Sequence, residues 1–336
     1  MTASTEQVGG ERATGRRVPD FFIVGHAKSG TTALYEMLRR HPQIFMSDVK
    51  EPQFFARNPE SPAPNARVRA FEQTGRHAET LEDYLSLYAD AGRDQRVGDG
   101  STFYLWSPLA PERIARARPD ARIIAILREP ASFVSSLHLQ MLQNNTESER
   151  DLRRALALEG ARREGRHVPR DAHWPAALMY AERVRYVEQL RRYHEAFSPE
   201  QVLVLIYDDF RNDNEATVRR VLRFLDVDET VPLEVIAANP TVALRSLRLR
   251  RMVRAVRQGR GPVSRAVKAA VIGLTTTRLR ENVLHPIRHR VLYSSPPAPD
   301  AELMLELRRR FKAEVVSLSE FLDRDLVTLW GYDGIG

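Results

Sequence analysis

The chain has 336 residues, 43% of them hydrophobic, enough for one large α/β domain or two small ones around a sizeable core. It contains no cysteine, which excludes disulfides and thiolate metal sites, and no run of about 18 apolar residues, which argues against a bilayer span. The formal charge is +7, yet thirteen Arg or Lys and one acid, Glu281, fall between Thr241 and Ser295, so that segment alone carries +12. Such a local positive field recruits anions.

Residues 1–18 are polar and lack an apolar signal core, so they read as a flexible tail on a soluble, cytoplasmic protein. Phe21–Val24 reads as a short buried strand, Gly25–Gly30 as a turn and Thr31–Arg40 as a helix. Asn58–Val68, with three prolines, reads as a surface loop. Val97-Gly98-Asp99 adds a short strand. Helix Pro108–Arg118, strand Arg122–Leu127 and helix Ser132–Leu142 follow. Trp174–Phe197 has the spacing of one long amphipathic helix, and strand Gln201–Tyr207 and helix Asn214–Leu225 come after it. Strands alternating with helices predict an α/β fold, a parallel sheet with helices on both faces.

The last third differs. Ser246–Arg260 and Val263–Leu274 read as arginine-rich helices, and Ser295-Pro-Pro-Ala-Pro breaks the pattern. Asp300–Asp323 predicts a helix with Leu303, Leu305, Leu307, Phe311, Val315, Leu318, Phe321 and Leu322 toward the core, and Trp330 packs the chain end back. The expected organisation is a single domain over residues 19–336, with 241–295 as a basic helical insertion or lid.

Strand, glycine loop and helix N-terminus build a cradle for phosphate. The helix end carries about half a positive charge and N–H groups without partners. Lys28 adds a full charge, and Ser29, Thr31 and Thr32 add hydroxyls, with Gly30 at the turn. A nucleoside-triphosphatase loop places its lysine after the second glycine; here Lys28 precedes Gly30. A second anchor lies where the Arg122–Leu127 strand ends. Arg128 projects at the carboxyl edge of the sheet, Pro130 punctuates, and Ser136 follows on the next helix. An arginine fork with a hydroxyl suits a terminal phosphate.

Gly25-His26-Ala27-Lys28-Ser29-Gly30-Thr31-Thr32 resembles the 5′-phosphosulfate loop of sulfotransferases that use 3′-phosphoadenosine 5′-phosphosulfate (PAPS). Arg128, Pro130 and Ser136 resemble that family's 3′-phosphate motif. Tyr207-Asp208-Asp209-Phe210 with Thr217–Leu225 resembles its third strand and following helix, where the aspartates are expected to be structural. The resemblance covers Phe21 to about Leu225 and is weak from Val242 to Ser295. It implies a P-loop-like α/β fold and PAPS as donor cosubstrate with no metal required. It also implies that Lys28 stabilises the leaving group, with Lys28, Ser29, Gly30, Thr31, Thr32, Arg128, Ser136 and Arg245 (or Arg248) around the donor. Family members in the Golgi have anchors and disulfides; a chain without them points to a bacterial-type cytoplasmic enzyme.

For the base, Glu51-Pro52-Gln53-Phe54-Phe55 resembles the pattern by which the heparan-modifying and many bacterial branches supply a catalytic glutamate. The Thr-His-Leu-Pro of the steroid- and phenol-sulfating branch is absent, and His138 and His26 are the nearest alternatives to Glu51. Heparan-type relatives often carry Glu-Lys-Thr-Pro or Glu-Lys-Ser-Pro where this chain has Asp99-Gly100-Ser101-Thr102. The family lysine is therefore replaced by Gly100, and Lys50 is the candidate to supply its charge. Lys50, Ser101, Tyr104, Trp174 and Tyr180 are expected on the acceptor side. The acceptor is a hydroxyl of a carbohydrate, lipid or secondary metabolite, including anionic glycans and glycolipids. The basic segment holds the 3′-phosphate, binds an anionic acceptor or lies on an anionic membrane. No aromatic residue interleaves its arginines before Tyr293, which speaks against nucleic acid. The rival readings are a nucleotide or small-molecule kinase and a catalytically inactive anion-binding relative.

Overall fold

The computed structural model describes residues 17–57, 78, 80–169, 172, 175–234, 243–244, 293–294 and 299–336. Five short strands, β1 (Phe21–Ile23), β2 (Ile44–Met46), β3 (Arg96–Gly100), β4 (Arg122–Leu127) and β5 (Val202–Ile206), form one parallel sheet in the order β2-β3-β1-β4-β5. Alternate side chains enter opposite faces. Phe22, Val24, Ile123, Ala125 and Leu127 join one apolar cluster, and Phe21, Ile23, Ile124 and Ile126 join the other. Helices Thr31–Arg39 and Asn214–Phe224 cover the second face. Helices Pro130–Asn144, Tyr186–Ala196 and Ala301–Phe321 cover the first. A parallel sheet buried on both faces is what the runs of Ile, Val and Leu require.

β1 stands at the middle, with β3 on one side and β4 on the other. The chain leaves β1 toward the β2 edge and later returns to build β4 on the opposite flank. That reversal opens a crevice at the carboxyl ends of β1 and β4, where ligands of open α/β sheets bind.

Three expectations need correction. β2 was not anticipated, because three residues are too few to show alternation. The stretch read as one helix from Trp174 to Phe197 is three pieces: a 3-10 turn at Pro175–Leu178 and helices Tyr180–Arg183 and Tyr186–Ala196. The break at Val184 and Arg185 frees backbone carbonyls, and the Gln189 amide donates to those of Glu182 (3.1 Å) and Arg183 (3.2 Å). Amphipathic spacing persists across such a break, so the pattern alone hides it. In the last long helix Leu307, Phe311, Val315 and Leu318 are buried, but Leu305 faces solvent.

The chain end packs back as expected. Trp330 is buried and its indole N–H donates to Asp208 (2.9 Å), while Arg324 grips both oxygens of Asp209 (2.6 and 2.8 Å). These aspartates fasten the C-terminus. Residues 1–16, the proline-rich loop at 58–68 and both arginine-rich helices expected within 246–274 lie outside the described residues. The two ends of the basic segment are described: Ala243–Leu244 pairs antiparallel with Tyr293–Ser294, beside the Pro130–Asn144 helix. Among the described residues no helix is long and apolar enough to cross a membrane.

Candidate active site

The loop after β1 turns because two residues accept left-handed backbone, Lys28 (φ 68°) and Gly30 (φ 88°). A Cβ on Gly30 would stand 2.9 Å from the Phe210 ring, so the position is closed to other residues by space as well as by φ. Gly30 flanks the Thr31–Arg39 helix without any side-chain cap. No side chain therefore occupies the first N–H groups of that helix, the arrangement that favours an anion. The Ser29 hydroxyl is buried and has no partner. Thr31 is buried and Thr32 exposed. Burial, and then the nearby Arg128 charge, lower the pKa of Lys28.

Arg128 leaves the end of β4 and reaches this loop directly. Its Nη1 donates to the carbonyl of Lys28 (2.8 Å), its guanidinium lies over the Tyr207 ring (5.1 Å), and its own carbonyl accepts the Tyr186 hydroxyl (3.0 Å). The two distant sequence anchors thus converge. Next to Arg128, Glu129 caps the following helix by accepting from Ala131 and Ser132 N–H (3.1 and 2.6 Å). That helix begins at Pro130, so buried Ser136 lies nearly two turns into it.

Glu51 sits one strand away. Gly100 at the end of β3 is in register with Ile23 of β1, and the Glu51 N–H donates to the Gly100 carbonyl (3.2 Å). One Glu51 oxygen accepts both the N–H and the hydroxyl of Thr102 (each 2.8 Å), and the other accepts Lys50 Nζ (2.9 Å). Glu51 and Gln53, on either side of Pro52, both have left-handed backbone (φ 65° and 55°). With Lys28, they are three of the seven non-glycine residues so strained among those described. Such strain costs about 1 kcal/mol or more per residue and gathers at functional sites. Phe54 and Phe55 turn into the core, Phe54 stacked on Tyr84 (4.7 Å) and Phe55 against Phe22 and Tyr104. They anchor the segment that carries Glu51.

Gly100 has a steric reason. A Cβ there would stand 2.6 Å from Cδ2 of Tyr35, a buried ring whose hydroxyl donates to the Ser47 carbonyl. The family lysine is excluded by Tyr35, and Lys50 Nζ instead lies 5.9 Å from that same ring.

Several expected acceptor contacts are corrected. Ser101 and Tyr104 are buried and serve Asp99: the Ser101, Tyr84 and Tyr104 hydroxyls all donate to its carboxylate (each 2.8 Å). Burial raises the Asp99 carboxyl to about 6 despite those bonds. Tyr180 is also buried; it donates to Glu147 (3.0 Å), which Arg162 grips with two bonds (2.7 and 2.8 Å). These hydroxyls hold the fold rather than line a cleft. Trp174 and Arg245 lie outside the described residues. His138 is occupied too, its Nε2 on the Glu149 carbonyl (2.9 Å), and burial lowers its pKa. His26 is buried between Phe133 and Tyr186, with Nε2 on the Gln189 amide oxygen (2.9 Å). Burial, and then the charge of Arg183, push His26 well below its ordinary pKa.

Three site features escaped the sequence reading. Thr102 was in plain view beside Ser101, but nothing local says which hydroxyl faces Glu51. Gln189 and Arg183 reach the site only through the helix break, which no spacing announces. Among the described residues there is no cluster of three His, Asp or Glu suited to a metal ion.

Comparison with known proteins bears on the family and the fold. The model of the sulfotransferase family matches residues 19–231. Human carbohydrate sulfotransferase 15 is 25% identical over 256 residues, covering 63% of this chain and 44% of the relative. The chain therefore spans less than half of that relative's length. Human heparan sulfate glucosamine 3-O-sulfotransferase 6 is 32% identical over 127 residues, covering 38% of this chain and 32% of the relative. A sulfotransferase crystal structure from Alicyclobacillus acidocaldarius superposes with a TM-score of 0.64 at 24% identity, covering 93% of this chain and 98% of the other. It shares the fold.

Proposed function

Because the chain belongs to the sulfotransferase family, we propose that it moves a sulfuryl group from PAPS to a hydroxyl of an acceptor. The observation that carries this reading is the contact between the two anchors, Arg128 Nη1 on the Lys28 carbonyl. PAPS bears phosphate at both its 5′ and 3′ ends, and two cationic sites joined at one peptide group suit a single doubly charged adenosine donor. The orphaned Ser29 hydroxyl and the uncapped helix N-terminus fit the 5′ end; Arg128 and Ser136 fit the 3′ end. Arg245 follows directly on the strand that lies beside the Ser136 helix, which supports its assignment to the same phosphate.

In the transfer, the acceptor oxygen bonds to sulfur in line with the bridging oxygen of the 5′-phosphate. The bond to that oxygen breaks, the acceptor proton passes to Glu51, and adenosine 3′,5′-bisphosphate leaves. Lys28 and the loop N–H groups meet charge that grows on the departing phosphate. Thr102 and Lys50 fix the Glu51 carboxylate before the acceptor arrives. The acceptor we favour is a glycan hydroxyl, the class named in the relatives above. The absence of cysteine supports a reducing, cytoplasmic setting, and the basic segment supports an anionic acceptor or a peripheral membrane contact.

Calorimetric titration tests the donor. Adenosine 3′,5′-bisphosphate should bind without magnesium; preference for ATP with magnesium would establish the kinase instead. Labelled PAPS offered to a panel of glycans then tests transfer. Lys28→Ala should cost about 10²–10³ in rate, and Glu51→Gln should abolish turnover while binding the bisphosphate normally. Donor binding with no transfer or hydrolysis in the wild type would mark an inactive relative.

A further inference from the structure

Arg183 is the largest fully buried side chain among the described residues, 1% exposed, at the end of the helix piece that precedes the break. Its guanidinium packs against two neighbouring rings, 4.9 Å from that of Trp106 and 5.2 Å from that of Phe103. Its Nε and Nη1 are buried and make no hydrogen bond, and no acidic side chain pairs with it among the described residues. The other arginine buried among the described residues, Arg162, is treated very differently, gripping Glu147 with two bonds. A buried cation without a counter-charge is expensive, and a fold keeps one only where something else supplies the anion.

The position of Arg183 says which anion. Gln189 bonds both His26 of the donor loop (2.9 Å) and the Arg183 carbonyl (3.2 Å), and Phe103 beneath the guanidinium follows Thr102, which holds Glu51; burial lowers the pKa of Arg183 to about 10. His26 Nδ1 is a second buried atom without a partner. The group that lies between the donor loop and the base during transfer is the sulfuryl group. Gly100 cannot carry the family lysine there, because Tyr35 fills the space.

We propose that Arg183, packed on Phe103 and Trp106, donates its unpartnered Nε and Nη1 to the sulfuryl oxygens of the donor and replaces the cation absent at Gly100. This rests on the reading of the chain as PAPS-dependent. A buried guanidinium has little freedom left to lose on binding, and charge-assisted bonds formed away from water are strong.

The test exploits the one chemical difference between PAPS and adenosine 3′,5′-bisphosphate, the sulfuryl group itself. Dissociation constants for both are measured by calorimetry on the full chain without acceptor. Arg183→Met keeps the apolar stem and removes the donors; it should weaken PAPS about tenfold to a hundredfold, as loss of charged hydrogen bonds does, and leave the bisphosphate unchanged. Its melting temperature should stay level or rise, since an unpaired buried charge has gone. Arg183→Lys should recover part of the PAPS affinity. Equal weakening of both ligands, or no change in either, overturns the assignment. So does an unchanged PAPS constant with a raised acceptor KM, which would place the acceptor's own anion on Arg183. Should Arg183→Met fail to fold, an Arg183→Lys variant with unaltered PAPS preference would overturn it equally. A wild type that binds neither nucleotide refutes the PAPS reading itself, a different outcome.

Discussion

Gly100→Ala is a small change with a large expected effect. Its Cβ would lie 2.6 Å from Cδ2 and 3.1 Å from Cε2 of Tyr35. Carbon atoms at rest sit about 3.5–4.0 Å apart, so the ring must retreat by about 1 Å. Tyr35 is 2% exposed and its hydroxyl is committed to the Ser47 carbonyl, so it cannot swing aside freely. Overpacking of this kind costs about 1–3 kcal/mol, and disturbing a buried hydroxyl adds about 1 kcal/mol. Reduced freedom of the unfolded chain returns about 0.5–1 kcal/mol. The net expectation is a loss of about 1–3.5 kcal/mol, read from urea denaturation midpoints at constant m-value. The control is Tyr35→Ala. Alone it should be costly, but adding Gly100→Ala to it should cost nothing further, because the obstructing ring is gone. A Gly100→Ala variant within about 0.5 kcal/mol of wild type, or an equal penalty in both backgrounds, would refute the claim that Tyr35 excludes the family lysine.

Thr102→Val removes one of the two Thr102 bonds to Glu51 and keeps the backbone one. A hydrogen bond to a charged group is worth about 1.5–3 kcal/mol, so kcat should fall by about tenfold or more with bisphosphate affinity intact, and Thr102→Ser should restore it; an unchanged kcat would detach Thr102 from Glu51. The Asp99 carboxyl, raised to about 6 in the fold from 3.8, binds a proton more tightly folded than unfolded. Its stabilising contribution is full below the unfolded value and is lost as pH rises through about 6. Wild type should therefore lose about 1 kcal/mol relative to Asp99→Asn between pH 5 and pH 7; parallel stability curves for the two would contradict this.

What could be read beforehand was whatever a few neighbouring residues determine together. The donor loop is strand, turn and helix start in a row, and Arg128 follows directly on a run of Ile and Leu that can only be a buried strand. Glu51 was legible by its family pattern, but not the strained backbone around Pro52 or the Thr102 bonds that hold it. Ser101, Tyr104 and Tyr180 misled because a hydroxyl near a cleft in sequence turns inward when a buried carboxylate needs it, and Asp99 and Glu147 are those carboxylates. Arg183 was invisible for the converse reason. Its burial comes from Phe103 and Trp106, about eighty positions earlier, and no local pattern records that contact.

The short clasp between Ala243–Leu244 and Tyr293–Ser294 has an evolutionary consequence. Its two strands bring the flanking chain in and out side by side, so sequence between them can be lengthened, trimmed or recharged while the register of the central sheet stays as it is. A scaffold built this way can change its clientele by editing one insertion while the contact between Lys28 and Arg128 stays in place.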